Sequence, residues 1–502
     1  MDYSRATRQK FQLYSKVASK LIDKFENDFS ISLNPILHVT RHFGPFVKLV
    51  DQFSDNTLAS KAFSFVRFSF RSCQVFLNVL WRKETQSVYH ENNSNNDYDV
   101  VIISHADRRE HLEGDGDFYF GALGVDLRKF GLSVAYIYTN KNKLSFDRYL
   151  ETERFKGAVI PRWILRNKLG SREELFFALS ALRASAKALM ELLKGEHRSL
   201  SRVLLFVAAR GYEVIPILRI AAQVRSFCTK SKAKYLIYTY EGHAWECGAT
   251  LGARLASTSL VCIGYQHSSI FPLQYSMRCS NPRRFRPDYI FCSGYLFQRY
   301  LHLCFGRGSN IVLLNSGRIR GQIYQDGKSS SCLPSAQRPI DLLALLGGDR
   351  EDYKLLIDFL CMFSLEYPFY KICLRPHPIS RDKALHYFSR KKRSGNISVS
   401  DVGNRLDQDV RNSRCACYRD STAIADAISW GCYAVFISIG RAASIDSLHL
   451  LRSVRYSKVS TLEALSQVLE SKIHTDNGGF APQLQRLWGP YCFNYVREVF
   501  TP

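Results

Sequence analysis

The sequence predicts an α/β protein with two consecutive parallel, doubly wound sheets and a helical extension in front of them. Three observations predict it. From residue 98 onward, short apolar runs of strand length alternate with longer runs of helical period. The alternation breaks between Asn315 and Pro339, at a stretch carrying Gly317, Gly321, Gly327, Ser329-Ser330-Ser331 and Pro334, and then resumes. Residues 1–90 have another texture, rich in basic and aromatic residues at helical spacing. Alternating strands and helices are the pattern of a parallel sheet with crossover helices.

Bulk composition narrows the function. A chain of 502 residues has room for two or three domains and a sizeable core. Hydrophobic residues at 46% and charged residues at 23% describe a globular chain rather than a disordered one. A net charge of +24 suits an anionic partner: nucleic acid, an acidic membrane face, or phosphorylated and acidic sugars. The Lys/Arg residues are spread out and form no DNA- or RNA-binding module, so a nucleic-acid partner is not expected. The 14 cysteines are dispersed through apolar segments, and Cys415-Ala416-Cys417 lacks zinc or redox spacing. That usage points to a reducing cytoplasm. No apolar h-region follows Met1-Asp2-Tyr3-Ser4-Arg5, and no apolar run reaches spanning length. A membrane contact would therefore be peripheral, on the inner face.

The elements follow in order. Ser4 to Phe25 reads as a basic amphipathic helix, with Phe11, Tyr14, Val17, Leu21, Ile22 and Phe25 on one stripe. Residues 62–82 are Phe-rich and carry Arg67, Arg71 and Arg82. This unit reads as a helical cap on the catalytic body, or as a helix seated in a headgroup layer. Glu91–Asp97 reads as a polar linker. In the next domain, strands are expected at 99–104, 132–138, 158–161, 235–240, 259–264 and 289–292. Helices are expected at 119–130, 172–193, 210–225 and 245–256. Beyond the hinge, strands fall at 340–346, 370–374 and 434–437, with helices at 352–367, 423–430 and 461–470. A closing helix is expected over 485–502. The domains are thus 1–97, a helical region and linker; 98–318, an acceptor-side domain; and 319–502, a donor-side domain.

Ligands of open parallel sheets sit beyond the carboxyl ends of the strands, and the candidate residues fall there. Leu374-Arg375-Pro376-His377-Pro378 ends a strand in a His-Pro turn. Histidine can hold a phosphate or protonate a departing one, and Arg375 adds charge. Arg419-Asp420-Ser421-Thr422 opens a helical pattern, whose free N–H groups and dipole favour an anion. Ser421 and Thr422 suit N-caps at the same time. Arg419 is a candidate charge partner for the phosphate, and Asp420 is left out of this grip, because an acid repels a phosphate. Gly347-Gly348 lets the backbone approach a nucleotide. In the first domain, Tyr240-Glu241-Gly242-His243-Ala244-Trp245-Glu246 is the densest polar cluster. Glu241 is a candidate general base and His243 a candidate acceptor contact. Gln266, His267 and His105 occupy similar strand-end positions, and Asp117 is the alternative base. Each position also has a plain structural reading as a cap or a loop hydrogen bond. No GxxxxGK[ST] loop, GxGxxG turn, HExxH helix or GxSxG elbow occurs. The His and Asp residues lack metal spacing, so no metal site is expected. The grip requires no cofactor and leaves room for a divalent cation.

His377-Pro378 with Ser421-Thr422 resembles the His-Pro and Ser/Thr motifs of GT-B-type bacterial transferases of surface polysaccharide synthesis. These include capsule Kdo transferases, sialyltransferases and teichoic-acid polyol-phosphate transferases. The segments at 240–246 and 264–269, with Ser104-His105 and Asp117–Gly121, look like related surface carbohydrate biosynthesis proteins. The resemblance spans roughly residues 98–440 and rests on short motifs in a particular order. It implies two Rossmann-like domains facing a cleft. It also implies donor contacts at His377, Ser421 and Thr422, and a base at Glu241 or Asp117. In that group a small residue precedes the Ser/Thr pair, whereas here Arg419-Asp420 does.

The expected function is transfer of a sugar from a nucleotide-activated donor, with a CMP-sugar favoured. The acceptor would be a glycan or a lipid-linked glycan of an O-antigen or capsule. An anionic membrane surface is a further expected partner. A CDP-polyol phosphotransferase and a non-catalytic partner with a degenerate fold are the alternatives.

Overall fold

The apolar stripe near the N-terminus folds as expected. In the computed structural model, α1 (Arg5–Lys24) buries Tyr14, Val17, Ala18, Leu21 and Ile22, and Phe25 follows them into the core. Each fully buried Val, Leu, Ile or Phe among them contributes roughly 1.5–3 kcal/mol. The structure describes residues 5–38, 97–106, 116–139, 160–193, 203–204, 207–208, 210–271, 274–277, 281–306, 308–315, 337–401, 403, 405–439, 446–451, 456–471 and 484–501. The Phe-rich unit at 62–82, the linker at 91–96 and the hinge at 316–336 lie outside these residues.

After α2 (Phe29–Ser32), the first sheet is built from β1 (Val100–His105), α3 (Leu123–Lys129), β2 (Val134–Thr139), β3 (Arg162–Ile164), α4 (Ser171–Leu193) and α5 (Ile215–Ser231). It continues through β4 (Tyr235–Thr239), α6 (Ala244–Ala256), β5 (Val261–Gln266), β6 (Tyr289–Cys292), α7 (Tyr295–Phe305) and β7 (Ile311–Leu313). Its order is β3-β2-β1-β4-β5-β6-β7, and the described ladders are all parallel. The helical extension leans on α4 through ion pairs of Lys24 with Glu191 (2.6 Å) and Lys187 with Asp28 (3.0 Å).

The second sheet comprises β8 (Ile340–Leu345), α8 (Arg350–Glu366), β9 (Ile372–Arg375), α9 (Arg381–Ser389), β10 (Ile397–Val399) and α10 (Leu406–Arg411). It is completed by β11 (Ser413–Tyr418), α11 (Ile424–Ser429), β12 (Tyr433–Ile437), β13 (Ser457–Val459) and α12 (Leu462–Glu470). Its order, β10-β9-β8-β11-β12-β13, repeats the pattern of the first sheet. In both sheets the chain starts at the centre, winds one way, then returns to the centre and winds the other. Each therefore has a switch point, between β1 and β4 and between β8 and β11, where ligands bind in doubly wound folds. Two Rossmann-like sheets in tandem behind a helical extension are the expected GT-B fold.

Several elements depart from expectation for local reasons. The helix expected at 119–130 starts only at Leu123, because Gly121 and Asp117 exchange backbone bonds in a tight turn. The third strand is 162–164 and pairs Arg162 with Tyr136; of the strand expected at 158–161, residues 158–159 lie outside the described residues and Pro161 only offers its carbonyl. The helix expected at 210–225 begins at Ile215, where Pro216 suits a first turn. β7, β10 and β13 are three-residue strands, too short for a periodic signal. β11 is a central strand hidden by its serine, arginine and cysteines.

The closing helix expected over 485–502 does not form. Gly489-Pro490 interrupts it, since proline removes a helical donor. Instead, two 3-10 turns, Phe493–Tyr495 and Arg497–Phe500, pack on the first sheet. The Tyr491 hydroxyl donates to Asp126 (2.9 Å), Asn315 Nδ2 donates to the Pro490 carbonyl (2.9 Å), and Phe500 meets Tyr235 edge-on at 5.1 Å. The chain thus returns to its first sheet after completing the second.

Candidate active site

Strand register decides which residues meet. In the first sheet Thr239 pairs with Tyr265, so two residues on, Glu241 and His267 leave their strands side by side. Glu241 Oε2 accepts from His243 Nε2 at 2.8 Å, and His267 Nε2 stands 3.8 Å from Oε1. Glu241 and His267 are buried, at 8% and 7% exposure, while the His243 side chain stays about one-third exposed. One carboxylate thus sits between two imidazoles at the ends of β4 and β5, next to the switch point, and His243 is the member exposed to solvent.

This arrangement is braced from below. Gly242 adopts φ +83°, and a Cβ there would lie 2.6 Å from the Ser276 backbone. Only glycine permits so sharp an exit from β4. The Glu246 carboxylate, in the first turn of α6, accepts from the N–H groups of Glu241, Gly242 and His243 at 2.7–3.0 Å. Burial, and then the charge of Glu241, push the Glu246 carboxyl well above its usual range. The Glu241 carbonyl accepts from Gln274 Nε2 (2.8 Å) and Ser276 Oγ (3.3 Å). Tyr119 packs edge-on against His267 at 5.0 Å.

The other expected residues of this domain serve the scaffold. His105 is buried, its Nδ1 2.6 Å from Thr139 Oγ1 and its Nε2 3.1 Å from Thr239 Oγ1. It braces three strands, so the expected acceptor contact at His105 is corrected. Gln266 is likewise spent: its amide donates to the Ser268 carbonyl and accepts from Ser293 N and Oγ at 3.2 Å. Asp117 is buried, and its Oδ1 accepts from Ser104 Oγ (3.0 Å), Tyr119 N (2.8 Å) and Phe120 N (3.0 Å). Burial raises its carboxyl above the usual range. Asp117 shapes the turn that Gly121 closes.

The same register logic orders the second sheet. Leu345 pairs with both Arg375 and Tyr418. Two residues beyond that row stand Gly347, His377 and Asp420. A Cβ on Gly347 would fall 1.6 Å from Asp420 Oδ1, and one on Gly348 would lie 3.5 Å from His377 Nδ1. His377 Nδ1 accepts from Ile379 N at 3.2 Å, and Ser380 Oγ donates to the Gly347 carbonyl at 3.1 Å. The three strand-end loops therefore converge at Gly347, His377 and Asp420.

Three expectations here are corrected. The Arg375 guanidinium is held inside its own domain: it pairs with Asp409 and donates to Ser400 Oγ at 3.2 Å. Ser421 and Thr422 are not helix caps. They lie in a turn ahead of α11, a six-residue helix whose preceding residue is Ala423. Arg419 is no phosphate partner either. It is 4% exposed and bound to Asp352 (3.1 Å) and the carbonyls of Ile437 and Ile439. Asp420, set aside on charge grounds, is instead the carboxylate closest to Gly347. Recognising β11 as a strand would have revealed its position.

The sequence matches no family model and no curated protein. Among solved structures, the chain is similar to UDP-GlcNAc 2-epimerase of Methanocaldococcus jannaschii in complex with UDP-GlcNAc and UDP. That likeness has 12% identity and a TM-score of 0.46, covering 80% of this chain and 97% of that one. MurG of Acinetobacter baumannii is similar at 13% identity and TM-score 0.41, covering 80% and 98%. A glycosyltransferase of Rickettsia africae is similar at 10% identity and TM-score 0.44, covering 80% and 97%. At such values no residue role passes from those proteins to this one.

Chemically, the first-sheet cluster offers a carboxylate able to accept a proton, with imidazoles on both sides to orient it. The second-sheet loops offer backbone, an imidazole and a carboxylate that can accept from sugar or ribose hydroxyls. Among the described residues, no group of three or more His, Cys, Asp and Glu side chains is placed to hold a metal ion. No described helix is long and apolar enough to cross a membrane.

Proposed function

We propose that this chain is a glycosyltransferase using a nucleotide-activated sugar donor. The observation that carries the reading is the paired strand-end chemistry. Glu241 lies between His243 and His267 beside the switch point of one sheet, and Gly347, His377 and Asp420 converge at that of the other. The donor nucleotide lies on the second sheet, with the Gly347-Gly348 backbone against it, and Asp420 accepts from a ribose or sugar hydroxyl. His377 contacts the phosphate that departs and stabilises its charge. The acceptor hydroxyl approaches Glu241, which takes its proton as the new glycosidic bond forms. His243 and His267 hold the carboxylate in place. A CMP-sugar is the favoured donor from the His-Pro motif, and the acceptor is a growing surface polysaccharide, an O-antigen or capsule chain. The protein works in the cytoplasm, at the inner face of the membrane.

The test is a thermal-shift and calorimetric screen of the full chain against CMP, CDP, UDP, GDP and ADP, with His377→Ala beside it. Selective stabilisation by CMP, lost in the variant, is the expected result. Preference for UDP or GDP overturns the cytidine assignment. Absence of binding by every nucleotide overturns the transferase reading.

A further inference from the structure

Between α8 and α9 lies an open groove of about 760 Å³. Arg350 and Lys354 line one wall; Lys383, His386, Arg390 and Lys391 line the other. Arg350 and Lys354 lie four residues apart on α8; Lys383 and His386 lie three apart on α9, and Arg390 and Lys391 follow directly after it, so that basic side chains line both walls. Like charges at such spacing destabilise a helix unless acids intervene. Asp358 of α8 offsets one of these cations: it pairs with Lys391 at 2.6 Å and accepts from the Tyr387 hydroxyl at 2.7 Å. Arg350, Lys383 and Arg390 have no ion pair among the described residues. A concave surface with opposed cationic walls concentrates positive potential.

The inner end of the groove is the site itself. Gly348 and Ser380 line it, and these residues contact His377 and Gly347. We propose that the groove binds an extended acidic glycan, the acceptor or product chain of the transferase, as it leads away from the site. This rests on the glycosyltransferase reading above. A repeating row of carboxylates or phosphates matches two rows of cations along a channel. The two tyrosines of the groove are poorly disposed to stack nucleobases: Tyr353 is buried, and Lys391 and Lys354 stand 4.2 and 5.0 Å from the Tyr387 ring centroid. The charges lie on opposing walls of a concavity, which suits a chain better than a flat lipid surface.

The experiment measures binding of the full chain to an oligogalacturonate of about ten residues over a series of salt concentrations. Oligothymidylate of equal charge and vesicles containing anionic phospholipid are measured alongside. The variants are Lys383→Ala with Arg390→Ala, both at exposed positions outside the site, and His377→Ala. The expected result is oligogalacturonate binding that weakens with salt and falls about tenfold or more in the double variant. Nucleotide stabilisation should remain unchanged in the double variant, and His377→Ala should still bind the oligosaccharide. Oligosaccharide binding unaffected by the double variant overturns the proposal. So does its absence, or a clear preference for oligothymidylate or vesicles through the same two residues. If the oligosaccharide binds through the groove but no nucleotide binds, the transferase reading fails and the groove assignment survives as a glycan site.

Discussion

Glu241 Oε2 accepts a hydrogen bond from His243 Nε2 at 2.8 Å, at the point where β4 turns into α6. The bond joins a buried carboxylate to a ring that solvent can reach. If Glu241 takes the acceptor proton, Glu241→Gln keeps the shape but removes the base. The expected outcome is a loss of roughly 10²–10⁴ in kcat with an unchanged melting temperature. His243→Asn should cost less, about tenfold, because it removes only orientation. Turnover of whichever nucleotide sugar stabilises the protein, measured with circular dichroism as a folding control, decides it. Full activity in Glu241→Gln would remove this residue from the mechanism.

Asp117 offers the contrasting carboxylate. Asn at this position retains the oxygen that accepts from Ser104, Tyr119 and Phe120. Asp117→Asn should therefore leave turnover within about threefold, within the usual range for a change outside the chemistry. Its stability should differ in a pH-dependent way. The folded carboxyl is raised by burial, so between the usual value of 3.8 and the raised one the folded state holds more protons than the unfolded. Stability contributed by this group is thus lost as pH rises through that window. Urea unfolding from about pH 4 upward should show a gentler fall in the variant than in the parent. An identical pH dependence in both would refute the buried-acid assignment.

Gly347 and Asp420 should behave as a coupled pair. A methyl group on Gly347 would fall on the Asp420 carboxylate, 1.6 Å from Oδ1. Gly347→Ala is expected to push the carboxylate aside, lower the melting temperature and weaken nucleotide binding about tenfold, or about 1.4 kcal/mol. Shortening the obstruction in Gly347→Ala with Asp420→Ala should restore part of the melting temperature lost by the single change. A double-mutant cycle measures that coupling, and strict additivity would rule out the contact.

Arg419 tests the correction of a charged residue from ligand contact to scaffold. Its guanidinium is buried against Asp352 and two carbonyls at the end of β12. Removing one partner of a buried pair strands the other, and Arg419→Ala is expected to cost about 3–5 kcal/mol. Chemical denaturation measures this. A loss of nucleotide affinity without loss of stability would return Arg419 to the donor site.

Much of the fold was legible locally. Strands such as Tyr289–Cys292, buried in a parallel sheet, appear as apolar runs, and α1 and α4 carry long periodic patterns. β11 was not legible, because serine, arginine and cysteine give it the surface of a loop, although it occupies the middle of its sheet. The end of the chain misled for a related reason. Its aromatic residues read as a closing helix, but Gly489-Pro490 breaks it and the first sheet supplies the apolar surface they cover.

The sequence alone determined the tandem α/β plan, the basic charge, and the placement of Glu241, His243, His267, Gly347 and His377 at strand ends. Those properties depend on residue type and short-range order. Tertiary structure decided which of the polar residues remain available for chemistry. His105, Gln266, Asp117, Arg375 and Arg419 look as reactive as their neighbours in one dimension. Folding delivers to each a partner from a distant part of the chain, such as Thr239 for His105 and Asp409 for Arg375. A buried polar group must be satisfied, and only the register of the sheets settles which groups satisfy one another.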